Sequence, residues 1–158
     1  MIKQRKSTDC GIATLANLLS VDYEDALKLY GSGMDSTGVT IQHTASILFN
    51  LGYAPIYVTF DGFEKAAGIK TNPATPSILE TSGHPAILQV INHAGMIHQV
   101  YFDGKNIHDP SQSTPYPRRI ADYCLVDALF VIKQGQAFVR KPGLCACEPY
   151  SVHASHMP

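Results

Sequence analysis

The hydrophobic period of this chain changes once, near Gly52, and that change restricts the folds open to it. Before it, apolar residues recur at helical spacing three times: Ile12, Leu15, Ala16 and Leu19; Tyr23, Ala26, Leu27 and Tyr30; Ile41, Ala45, Leu48 and Phe49. Each stripe has its own signals. Ser7, Thr8 and Asp9 precede the first, Asp22 precedes the second with Gly31 and Gly33 after it, and Gly52 follows the third. The segment GSGMDSTGV between the second and third reads as a loop. Beyond Gly52 the runs are those of strands. They are YAPIYVTF at 53–60, where Pro55 points to a sheet edge or a strand start, AILQVIN at 86–92, MIHQVYF at 96–102 and CLVDALFVIK at 124–133. Helices first and strands afterwards predict an α+β fold, an N-terminal helical lobe packed on an antiparallel sheet.

Two stretches carry signals of another kind. Residues 61–85 carry Gly62, Gly68, Pro73, Pro76 and Gly83, which predicts a short helix around Phe63 to Ala67 within a long connection that lines a cleft. Asp103-Gly104, between MIHQVYF and KNIHD, is the signal of a two-residue type I′ hairpin. That turn would set Tyr101 opposite Asn106, Val100 opposite Ile107, Gln99 opposite His108 and His98 opposite Asp109. Directly opposed residues have Cβ atoms about 4.5–5.5 Å apart, so the spacing puts an acid beside His98. The other six histidines lack such a partner: His43 lies in a predicted helix, His84 and His93 in loops, His108 opposite a glutamine, and His153 and His156 in the tail.

Cys10 begins the first helix. A thiol there sits among unpaired backbone N–H groups at the positive end of the helix dipole, which favours thiolate over a thiol with the usual pKa of about 8.5. Gln4, six residues upstream, can return its side-chain amide beside the thiol, and the Cys10 N–H is a second donor; two such donors make an oxyanion hole. Gly11 either lets a substrate backbone approach the thiol or relieves crowding at the helix start.

The spacing Gln-x5-Cys-Gly at Gln4 to Gly11, with Asp9 before the cysteine, and the later HQVYFDGKNIHDP at His98 to Pro110 resemble the papain-like cysteine peptidases. Within these the chain is most similar to the bacteriocin-processing peptidases that cut leader peptides after a double glycine. The resemblance implies a papain-like fold and a Cys10-His98-Asp109 triad with Gln4 at the oxyanion. It also implies hydrolysis of a peptide or protein substrate after small residues or Gly-Gly, and no metal or organic cofactor. With no membrane transporter adjoining, a free-standing protease is expected. The same chemistry serves a deamidase, an isopeptidase or a transglutaminase, and the same fold can serve a non-catalytic peptide-binding module.

Composition narrows the class. A chain of 158 residues suits one domain with a real core, since that length buries about 70% of its unfolded surface. The expected division is a peptidase domain over 1–142 and a loosely attached tail over 143–158. A formal net charge of −1 with 16% charged residues argues against a nucleic-acid surface, and 45% apolar content argues against disorder. Lys3, Arg5 and Lys6 ahead of GIATLANLL imitate a signal peptide, but Asp9, Thr14 and Asn17 interrupt the run and cleavage would remove Cys10. No stretch reaches the 18 or so apolar residues of a membrane span. Cysteines at 10, 124, 145 and 147 suit a reducing, cytoplasmic compartment. Cys145, Cys147, His153 and His156 fit no common zinc spacing, so no metal site is expected there.

Overall fold

The computed structural model describes residues 1–111 and 118–133. The three periodic stripes form α1 (Cys10–Leu19), α2 (Tyr23–Tyr30) and α4 (Ile41–Asn50), and a single further turn, α3 (Met34–Thr37), lies in the glycine-rich segment read as loop. α4 is capped by Thr40, whose hydroxyl accepts from His43 N at 3.2 Å. The strands are β1 (Tyr53–Thr59), β2 (Ala86–Ile91), β3 (Ile97–Phe102), β4 (Ile107–His108) and β5 (Cys124–Lys133). They form one antiparallel sheet in the order β1-β5-β2-β3-β4, so Pro55 does lie in an edge strand. The α+β architecture expected from the change of period is the one found.

Both faces of the sheet are covered. Ile87, Leu129 and Val131 pack with Ile12, Leu15, Ala16, Tyr23, Ala26 and Leu48 of the helical lobe. The alternate residues Ala86, Leu88, Val90, Ala128 and Phe130 pack with Phe60, Leu79, Phe102 and Ile107 on the other side. This is why β2 and β5 read as continuous apolar runs: a central strand buried on both faces has no polar side to show. The second face is covered by the stretch with the weak signal. Residues 61–85 form α5 (Gly62–Ala67) and α6 (Ser77–Ser82), and Leu79 and Ile78 of α6 join the core. Only α5 was expected, and none of these residues lines the cavity that holds Cys10.

The hairpin differs from its expected form. β3 pairs with β4 as Tyr101↔His108 and Phe102↔Ile107, so the loop is 103–106 and each partner lies two positions beyond the one a two-residue turn gives. A type I′ turn needs positive φ at both central residues, whereas Gly104 has φ +96° and Asp103 is not in that region. Instead the Asp103 carboxylate accepts from Lys105 N at 2.8 Å and Asn106 N at 2.7 Å, which leads the chain round a wider loop. Its other oxygen takes His108 Nε2 at 2.6 Å, so His108 has an acidic partner of its own and does not face Gln99.

Candidate active site

Cys10 is the first residue of α1, and the residue before it decides how that helix begins. Asp9 is fully buried but makes no side-chain cap bond to the helix. Its carboxylate turns backward, accepting from Arg5 N at 3.0 Å, Lys6 N at 3.1 Å and Tyr23 OH at 2.6 Å. Burial and this carboxylate push the Tyr23 phenol well above its usual range. Two consequences follow. The first turn of α1 takes no side-chain cap, and residues 5–8 are folded into a fixed turn that carries Gln4. Lys6 pairs with Asp35 and Thr8 Oγ1 donates to Asp35 O at 2.7 Å, so α3 clamps the turn from outside.

Gln4 is held at both ends. Its backbone N–H donates to Pro110 O at 3.1 Å, tying the N-terminal segment to the residue after Asp109. Its side-chain Nε2 donates to Lys6 O at 2.9 Å, which fixes which way the amide faces. One Nε2 hydrogen remains beyond that bond. Gly11 has a different setting from Gln4. A Cβ there would lie 2.3 Å from Val39 Cγ2 and 2.7 Å from Gln99 Oε1, so the absent side chain lets α1 pack on these residues. Gly11 is not among the residues that line the cavity, and its own surroundings are crowded.

His98 and Asp109 meet despite the altered hairpin. Side chains alternate along a strand with period two, so moving the register by two positions keeps every residue on its face. His98 and Asp109 therefore stay on one face as diagonal neighbours, and His98 Nε2 lies 2.8 Å from Asp109 Oδ1. Both are buried, at 7% and 5% exposure. Burial disfavours the charged ring, yet the interactions with Asp109 and Cys10 outweigh it, and His98 is pushed up to about 9. Burial likewise acts upward on Asp109, but His98 and Ser111 overcome it and hold the carboxyl well below the usual range. With Nε2 engaged by Asp109, Nδ1 is the ring nitrogen left for the thiol.

Cys10, His98, Asp109 and Gln4 all line one cavity of about 320 Å³. Ile91, His93, Met96 and Ile97 of the β2–β3 hairpin form part of its wall, and Ser111, Arg118, Asp122 and Tyr123 form another part. Three contributors escape sequence reading. Asp9 carries a visible helix-start signal but acts backward, Ser111 follows Asp109 without a distinguishing pattern, and Tyr123 approaches Asp109 across fourteen positions with no local signal at all. Among the described residues, no group of three or more His, Cys, Asp or Glu side chains could hold a metal ion. No helix among them is long and apolar enough to cross a membrane. The Cys145/Cys147/His153/His156 motif and the 142/143 boundary lie outside the described residues.

The geometry can be set beside known proteins. No family model matches the chain, and no curated protein does. Among solved structures it is similar to the peptidase domain of Streptococcus ComA, a bi-functional ABC transporter involved in a quorum sensing pathway. That likeness has a TM-score of 0.57 at 18% identity and covers 84% of this chain and 97% of that one. The resemblance that the two motifs suggest therefore holds for the fold, which is the α+β fold of that peptidase domain.

Proposed function

We propose that this protein is a cysteine peptidase whose nucleophile is Cys10. The observation that carries the reading is a convergence on one cavity: a thiol at an uncapped helix start and a histidine whose far nitrogen is bonded to a buried carboxylate. Cys10 sulfur attacks the carbonyl of the scissile amide, and the oxyanion is met by the Cys10 N–H and the remaining Gln4 Nε2 hydrogen. His98, charged at neutral pH, protonates the leaving amine as the acyl-enzyme forms. It then takes a proton from water, hydroxide attacks the thioester, and the acid is released as the sulfur leaves with its electron pair, restoring the starting pair of Cys10 and charged His98. Asp109 keeps the ring oriented and stabilises its charge throughout. The two motifs and the fold together support cleavage after small residues, Gly-Gly included. The free thiols of Cys10 and Cys124 fit a cytoplasmic setting.

A peptide library containing Gly-Gly sequences, read by mass spectrometry, tests this directly. Cleaved peptides are expected from the wild type, and none from Cys10→Ala with an unchanged circular dichroism spectrum. Loss of ammonia or amine exchange without chain cleavage would move the assignment to a deamidase or a transglutaminase. Iodoacetamide is expected to label Cys10 before Cys124. Equal labelling of the two thiols, with no cleavage, would leave only a binding module.

A further inference from the structure

Asp109 holds more hydrogen bonds than are needed to orient one imidazole. Its Oδ1 accepts from His98 Nε2 at 2.8 Å, Ser111 N at 2.9 Å and Ser111 Oγ at 2.6 Å, and its Oδ2 accepts from Tyr123 OH at 3.0 Å. The terminal torsion of a carboxylate is broad, so a single partner does not fix it. Donors on both oxygens do. Tyr123 is itself placed by structure on either side. It follows the 3₁₀ turn Ile120–Asp122, with its N–H on Ile120 O at 3.2 Å, and its ring lies under the Arg118 guanidinium, 6.0 Å from the centroid. Arg118 N and O bond Ile107 O and N at 3.3 and 3.4 Å, which stitches this element to the strand that leads into Asp109.

We infer that Tyr123, seconded by Ser111, is a positioning residue: it pins Oδ2 of Asp109 so that Oδ1 stays aimed at His98 Nε2. The inference rests on the peptidase reading, but its central test does not need turnover. Two physical roles for the hydroxyl predict opposite signs. A donor that only disperses the carboxylate charge weakens the pull on imidazolium, so removing it would raise the proton affinity of His98. A donor that fixes the carboxylate strengthens the His98 bond on average, so removing it would lower that affinity. The other ionisable groups lining the cavity, Cys10, His93, Arg118 and Asp122, are unchanged by the substitution.

Isotope-labelled histidine NMR on the full chain separates these roles. In Tyr123→Phe, which keeps the ring under Arg118, His98 is expected to titrate below the value of about 9 set by the intact site, with faster exchange of its Nε2 proton. On a peptide that the wild type cleaves, kcat should fall about tenfold with KM unchanged. In an Asp109→Ala background the same substitution should cost nothing further, because the residue acts through Asp109. Ser111→Ala should move the NMR readouts in the same direction. An unchanged or raised His98 titration, or an equal cost in the Asp109→Ala background, would overturn the inference. If the wild type cleaves no peptide, the peptidase reading fails while the NMR comparison still decides the role of Tyr123.

Discussion

Asp9 shows how much a single side chain can decide by the direction in which it turns. An aspartate just before a helix ordinarily bonds forward to the first free N–H groups. Here it bonds back to Arg5 N, Lys6 N and Tyr23 OH, and the turn that carries Gln4 depends on it. Asp9→Ala is expected to lower kcat about a hundredfold, the order lost when one oxyanion donor goes. It also leaves the buried Tyr23 hydroxyl without its acceptor, at a cost of about 1–3 kcal/mol in a denaturant titration. Asp9→Asn keeps an acceptor oxygen and should lose less on both measures. Wild-type turnover in Asp9→Ala would show that Gln4 does not depend on this carboxylate. The sequence displays the residue plainly but not its orientation, because capping types state a preference for a helix start and say nothing of competing donors.

At the scale of elements, legibility followed the physics of each signal. The bounds of β5 and the start of α1 could be read closely because long apolar runs and 3.6-residue stripes leave few alternatives. α6 and α3 were not visible: each is short, flanked by glycine or proline, and owes its form to the surface it covers. The hairpin joins the expected strands in a different register, since Asp-Gly suits several turns and the Asp103 carboxylate decides among them. The pairing of His98 with Asp109 survived because an even displacement preserves the face, while one position either way would have separated them. Asp103→Ala removes acceptors for Lys105 N, Asn106 N and His108 Nε2 together. It should destabilise the fold by roughly 1–3 kcal/mol by chemical denaturation. A shorter loop in its place would also disturb the approach of Asp109 to His98, visible as a change in the His98 NMR titration.

For the whole molecule, Asp127, His98 and Asp109 shape the response to pH. Burial pushes Asp127 up to about 6 against the downward effect of the Tyr57 hydroxyl, which donates to it at 2.8 Å. Because that value lies above the ordinary 3.8, the fold favours the protonated acid. Stability falls as pH rises through this window, and the full cost is present above it. His98 acts in the same sense at higher pH: its contribution is complete below 6.5 and is lost as pH climbs through about 9. Asp109, held low, loses its contribution as pH falls below the ordinary carboxylate range. The melting temperature should therefore peak in acidic solution, near pH 4 or so, and decline toward pH 9. Asp127→Asn should remove the loss between about pH 4 and 6 and raise the melting temperature at neutrality, leaving the later decline. Calorimetry across pH checks this, and a wild-type melting temperature that rises from mildly acidic to alkaline solution would contradict it. The strand that carries Asp127 has one more effect, on the order in which the molecule is made. β5 is the last of the described strands to be synthesised yet lies between β1 and β2. Until the ribosome has released Lys133, those two edges have no common partner and must be kept from other chains. The thiol is translated first and the sheet that gives it its histidine is completed last, so a nascent chain carries its nucleophile through synthesis without a finished site around it.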